Sequence, residues 1–197
     1  MTATVHDRNP RAARTRDGQR LAGGIAIVLG GAVWLVPALL PAAAAATPLP
    51  SATAPALALL GAVLLQFGIV GDRAPLSWVK VGGILTLFYF CSWLALHLVP
   101  DALAAANPWG ATSVMRLLVG LIAAIVIAKS WPVRGYDRWA MLVVVLADGL
   151  NSLVWGWVLL AAPSAALITL VGALFPLALV ALGASHIAAA LRARRDR

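Results

Sequence analysis

The stretch Trp139–Arg195, WAMLVVVLADGLNSLVWGWVLLAAPSAALITLVGALFPLALVALGASHIAAALRARR, decides the fold. It reads as two apolar helices joined by a very short turn at Pro163, the second running back to an arginine cluster. The first helix carries Gly149, Gly156 and Pro163 at intervals of seven residues. Gly23, Gly30 and Pro37 repeat that spacing near the start of the chain. A third copy begins at Trp78 and turns at Pro100. Pro37, Pro100 and Pro163 stand 63 residues apart, so one helical hairpin is written three times.

Composition agrees with a membrane setting. The 197 residues are 62% hydrophobic and 11% charged, with mean hydropathy +0.92. About 20 apolar residues cross the roughly 30 Å hydrocarbon layer. Lipid offers no partner for a backbone N–H or C=O, so such runs are helices or closed barrels. Alanine and leucine abound and no period-2 alternation occurs, which predicts helices. The expected fold is all-α and polytopic. Its six spans are Leu21–Leu40, Ala54–Val70, Trp78–Val99, Thr112–Ala128, Trp139–Ala161 and Ala165–Leu191. They group into hairpins over residues 21–72, 78–128 and 139–191, between a disordered basic tail (1–20) and a second basic tail (192–197). The apolar run after the first tail exceeds the length of a signal-peptide core. It also supplies the first repeat's glycines and proline, so it is read as a retained helix.

The net charge of +8 does not point to nucleic acid, because the cations sit in tails and short loops. Fourteen of the fifteen Lys and Arg residues fall on one side of the spans, Arg116 being the exception. By the positive-inside rule both termini are cytoplasmic. Cys91 is the single cysteine, which excludes an internal disulfide. His6, His97 and His186 are too dispersed for a metal site. No cofactor is implied, and no lysine lies where it would form a Schiff base within a span.

Residues seven apart share a helix face. Gly23/Gly30 and Gly149/Gly156 therefore open smooth strips, and Gly61, Gly68, Gly120, Gly172 and Gly183 are the matching small residues on second helices. In lipid, helices associate through the close packing that small residues permit. The same strips imply a homo-oligomer, with membrane lipids as the other partner. The prolines stop the first helix of each hairpin at its outer end, where a missing N–H costs least.

The pattern W…G-x6-G-x6-P…L-V-G…G…A-x-x-L-R over Trp139–Arg195, and again over Arg20–Asp72, resembles the HdeD family of small six-span membrane proteins. The middle copy departs from it, with Thr86 and Trp93 in the glycine positions. The resemblance implies a plasma-membrane protein tied to acid or envelope stress, without an enzymatic motif or catalytic residues.

Polar residues within the spans are the remaining signal. Asp148 lies near the middle of its span, where charge is costly and is a functional hypothesis by default. Asn151 is on the same face, and Arg116 enters from the preceding span. Together they are read either as structural glue or as a proton-responsive site. His97 and Asp101, four residues apart at an outer helix end, suit a sensor of external acid if the helix passes Pro100. Gln66 reads as an interhelical hydrogen-bonder. Trp78, Trp109, Trp131 and Trp139 suit an interfacial belt, while Trp34, Trp93, Trp155 and Trp157 are expected to pack between hairpins. Three functions fit. The preferred one is a non-enzymatic stress protein. The second is a small proton-coupled transporter or channel through Asp148. The third is a membrane enzyme acting on a lipid or isoprenoid, with Asp148 as general acid.

Overall fold

A computed structural model describes residues 10–39, 51–70, 78–98, 111–129, 137–161 and 164–195. All regular structure among the described residues is helical. The helices are α1 (Pro10–Leu39), α2 (Thr53–Val70), α3 (Trp78–Leu98), α4 (Ala111–Lys129), α5 (Asp137–Ala161) and α6 (Ala165–Arg195). Among the described residues, Arg14–Pro37, Lys80–Leu98 and Thr169–Arg195 are long and apolar enough to cross a membrane, and Thr53–Gln66 is a shorter apolar segment. Three such helices are what a membrane protein carries.

Local chemistry explains several ends. Pro10 occupies the first position of α1, where its missing N–H would be unpaired in any case. The alanines and arginines that follow favour helix, so residues 10–20 extend α1 and are not the disordered tail expected there. Arg192, Arg194 and Arg195 likewise lie in the last turn of α6. Ser164 caps α6: the Leu167 N–H reaches its carbonyl at 3.0 Å and its Oγ at 3.4 Å. Pro37 sits inside the last turn of α1 and does not follow it. Pro100 and Pro163 lie outside the described residues.

Each helix packs against the next in sequence, and α6 closes the cycle on α1. The two most extensive contacts both belong to α1, with α6 and with α2. Its glycines come as adjacent pairs, Gly23-Gly24 and Gly30-Gly31. A Cβ on Gly23 would meet the Gly61 carbonyl oxygen at 2.8 Å, and one on Gly30 the Ala54 oxygen at 2.9 Å, both on α2. On Gly24 it would meet the Gly183 oxygen, and on Gly31 the Pro176 oxygen, each at 2.8 Å and both on α6. Successive residues turn by about 100° around a helix. The paired glycines therefore give α1 two bare strips facing two neighbours.

Large side chains fill the centre of the cycle. Trp93 of α3 lies 5.1 Å from Trp34 of α1 and 4.9 Å from Phe175 of α6, ring centre to ring centre. Tyr89, Phe90 and Phe175 are fully buried. Both α4 and α5 expose apolar side chains, Val114, Leu118 and Ile122 on the first and Leu146, Leu150 and Leu153 on the second. Hydroxyls bond to their own helices, as Thr86 to the Gly82 carbonyl and Ser185 to that of Leu182, both at 2.8 Å. An apolar surrounding leaves them few other partners.

Candidate functional site

Arg116 of α4, Asp148 of α5 and Tyr89 of α3 converge on one buried point. Arg116 Nη2 donates to Asp148 Oδ1 at 3.0 Å, and Tyr89 Oη donates to Asp148 Oδ2 at 2.8 Å. Asp148 is 3% exposed, Arg116 8% and Tyr89 0%. Each carboxylate oxygen thus takes one donor, from two different helices. Ser152, one turn past Asp148, offers its Oγ to Arg116 Nη2 at 3.5 Å.

The antiparallel register of α4 and α5 brings the charges together. Arg138 Nε donates to the Ala128 carbonyl where the two helices are tied. Counting from that tie, Arg116 lies twelve residues along α4 and Asp148 ten along α5, a height difference of about 3 Å at 1.5 Å per residue. Gly120 faces Val145, and Gly149 faces Leu117, in the same register. At Gly120 an added Cβ would meet the Tyr89 ring at 2.7 Å. A side chain there would displace Tyr89 from the carboxylate. Leu117 approaches the Gly149 position only at ordinary van der Waals distance.

Asn151 Oδ1 and Arg116 Nε are buried and have no hydrogen-bond partner among the described residues. Asn151 therefore shares the neighbourhood of Asp148 without joining its hydrogen bonds. His97 is drawn elsewhere. Its Nδ1 lies 2.9 Å from the Trp93 carbonyl oxygen, and its ring meets Trp34 and Trp93 edge to face at 5.1 and 5.8 Å. Asp101, its expected companion, lies outside the described residues. Gln66 lays its amide against Gly83 of α3.

The expected packing glycines divide. Gly23, Gly30 and Gly61 stand at close helix approaches. Gly183 does too, against Gly24 and Val28 of α1. Gly172 faces open space. The surroundings of Gly156, Trp155 and Trp157 lie outside the described ones, as do Gly68, Trp109 and Trp131.

Sequence reasoning passed over Tyr89, Ser152, Gly24 and Gly31. Tyr89 had a legible signal, being one of only two tyrosines and the one inside an apolar run that also needed donors for Asp148. Gly24 and Gly31 were hidden by the seven-residue spacing of their neighbours. Among the described residues no three His, Cys, Asp or Glu side chains converge as a metal site would require. No family model matches the chain, and neither a curated protein nor a solved structure matches it.

Proposed function

We propose that this chain is a non-enzymatic integral membrane protein that serves in acid or envelope stress, as its resemblance to HdeD-like proteins implies. In this reading the six helices cross the plasma membrane as three hairpins, with both termini on the cytoplasmic side. The packing of each helix on the next supports it, as does the gathering of cations at one end of the spans. Apolar side chains exposed on α4 and α5 supply a face for lipid or for a second copy of the chain.

The observation that carries the functional reading is the Arg116–Asp148–Tyr89 clamp. A carboxylate held between an arginine and a phenol from two other helices works as a clasp across α3, α4 and α5. Protonating Asp148 removes the anion that compensates a buried guanidinium, and an uncompensated buried charge is strongly unfavourable. Acid then loosens the clasp from within the membrane.

A second reading, a small proton-coupled transporter or channel, is favoured by the unpartnered Arg116 Nε and Asn151 Oδ1 beside Asp148. Reconstitution into liposomes with an imposed pH gradient separates the two. The stress reading expects no proton flux above that of empty vesicles. It also expects acid survival of cells lacking the protein to be restored by the unaltered chain and not by Asp148→Asn. Flux that Asp148→Asn abolishes would replace the first reading with the second.

A further inference from the structure

A groove of about 360 Å³ runs between α5 and α6 at their arginine-rich ends. Its floor is Ala178 and Leu182, both buried, and one wall is Trp139 and Val143, both half exposed. Along α6 the other wall is low, formed by Ala181, Ser185 and Ala188, and it ends on exposed Arg192. The Ser185 hydroxyl is already spent on the Leu182 carbonyl, so that wall is apolar in effect. Arg138 lies over the Trp139 ring, 5.8 Å from its centre, which places a second guanidinium at the same end.

We propose that this groove is a binding site for an anionic phospholipid, with one acyl chain along α6 and the phosphate at Arg192 and Arg138. The assignment rests on the reading that α5 and α6 cross the bilayer. From Ala178 to Arg192 α6 rises about 21 Å at 1.5 Å per residue. That spans the ~15 Å hydrocarbon depth of one leaflet, half the bilayer core, and continues to headgroup level. Arginines at the mouth of a groove between membrane helices recognise anionic headgroups. Trp139 beside them suits the interface between hydrocarbon and water.

The molecule carries its own comparison. A groove of similar size, about 410 Å³, lies between α4 and α5 and is lined by Val114, Leu118, Leu121, Leu146, Leu150 and other apolar residues, without a cation. A lipid chain in that groove has no partner for a charged headgroup. Of these two grooves, only that between α5 and α6 can select for headgroup charge.

Native mass spectrometry of the full-length protein in detergent tests this with dioleoyl phosphatidylglycerol against dioleoyl phosphatidylcholine. Phosphatidylglycerol is expected to be retained about fivefold more strongly, the gain from one arginine near a membrane surface. Arg192→Gln should remove most of that preference. Ala181→Leu and Ala188→Leu, at exposed positions that leave helix packing alone, should reduce retention of phosphatidylglycerol by filling the groove. Arg194→Gln with Arg195→Gln should leave the preference in place. Equal retention of the two lipids by the unaltered chain overturns the site, and so does an equal loss in the Arg194/Arg195 variant. A chain that stays monodisperse without detergent overturns the membrane reading itself.

Discussion

Arg116 and Asp148 meet at 3.0 Å across the α4–α5 seam, and both side chains are buried. Removing one member leaves the other charged and uncompensated. Asp148→Ala and Arg116→Met should each destabilise the protein by about 3–5 kcal/mol, the range for breaking a buried pair. The double variant should cost clearly less than the two losses combined, because contacting residues are coupled. Thermal unfolding in detergent, followed by helical circular dichroism, measures all three. Additive losses would mean that the two groups do not form a pair in the folded protein.

Tyr89 contributes a hydrogen bond to the same carboxylate and an aromatic face to Phe90, at 5.2 Å between ring centres. Tyr89→Phe keeps the ring and deletes the donor. The expected loss is about 1.5–3 kcal/mol, as for hydrogen bonds to charged groups. It should largely disappear when Asp148 is already replaced by alanine. A full loss in that background would assign the effect to ring packing.

The glycines of α1 and α6 separate tight approach from open space. At Gly24 an added Cβ would sit 2.8 Å from a backbone oxygen of α6, so Gly24→Ala should cost about 1–3 kcal/mol as overpacking does. Gly172 faces no neighbour within 4 Å, and Gly172→Ala should be neutral or stabilise by up to about 1 kcal/mol through helix propensity. Melting temperatures in one detergent suffice. The reverse order would deny that α1 and α6 touch through Gly24.

Orientation can be read from single cysteines. Cys91 is exposed and is first replaced by serine. Ser51→Cys and Ser164→Cys, at exposed helix starts, should react with an impermeant maleimide added to intact cells. Lys129→Cys, at the end of α4, should react only after the membrane is opened. Labelling of all three from outside would dismiss the six-span arrangement.

Helix existence was legible because apolar runs of span length admit few alternatives, and every run read as a helix from residue identity is helical where described. Helix ends were less so. Arg11, Arg14, Arg16 and Arg20 look like a solvated tail by charge, yet charge does not oppose helix once Pro10 and the alanines favour it. At the site, Asp148 and Arg116 stood out because ionised groups are rare in such runs. That they would bond depended on the register of two helices joined by a loop, which residue spacing does not encode. Gly183 shows the same limit: small size is visible in sequence, but which of two neighbours it faces is a property of the whole cycle.

The bare strip formed by Gly24 and Gly31 has a temporal consequence. Its mate, around Pro176, Val180 and Gly183, is about 150 residues downstream on α6, the last of the described helices to be made. Until α6 has been made, α1 is half-matched, with one flank uncovered. A chain made only as far as α5 therefore displays a face that α6 later covers. A separately produced α6 should be captured by a fragment ending after α5, and that capture should fail when Gly24 and Gly31 carry larger side chains.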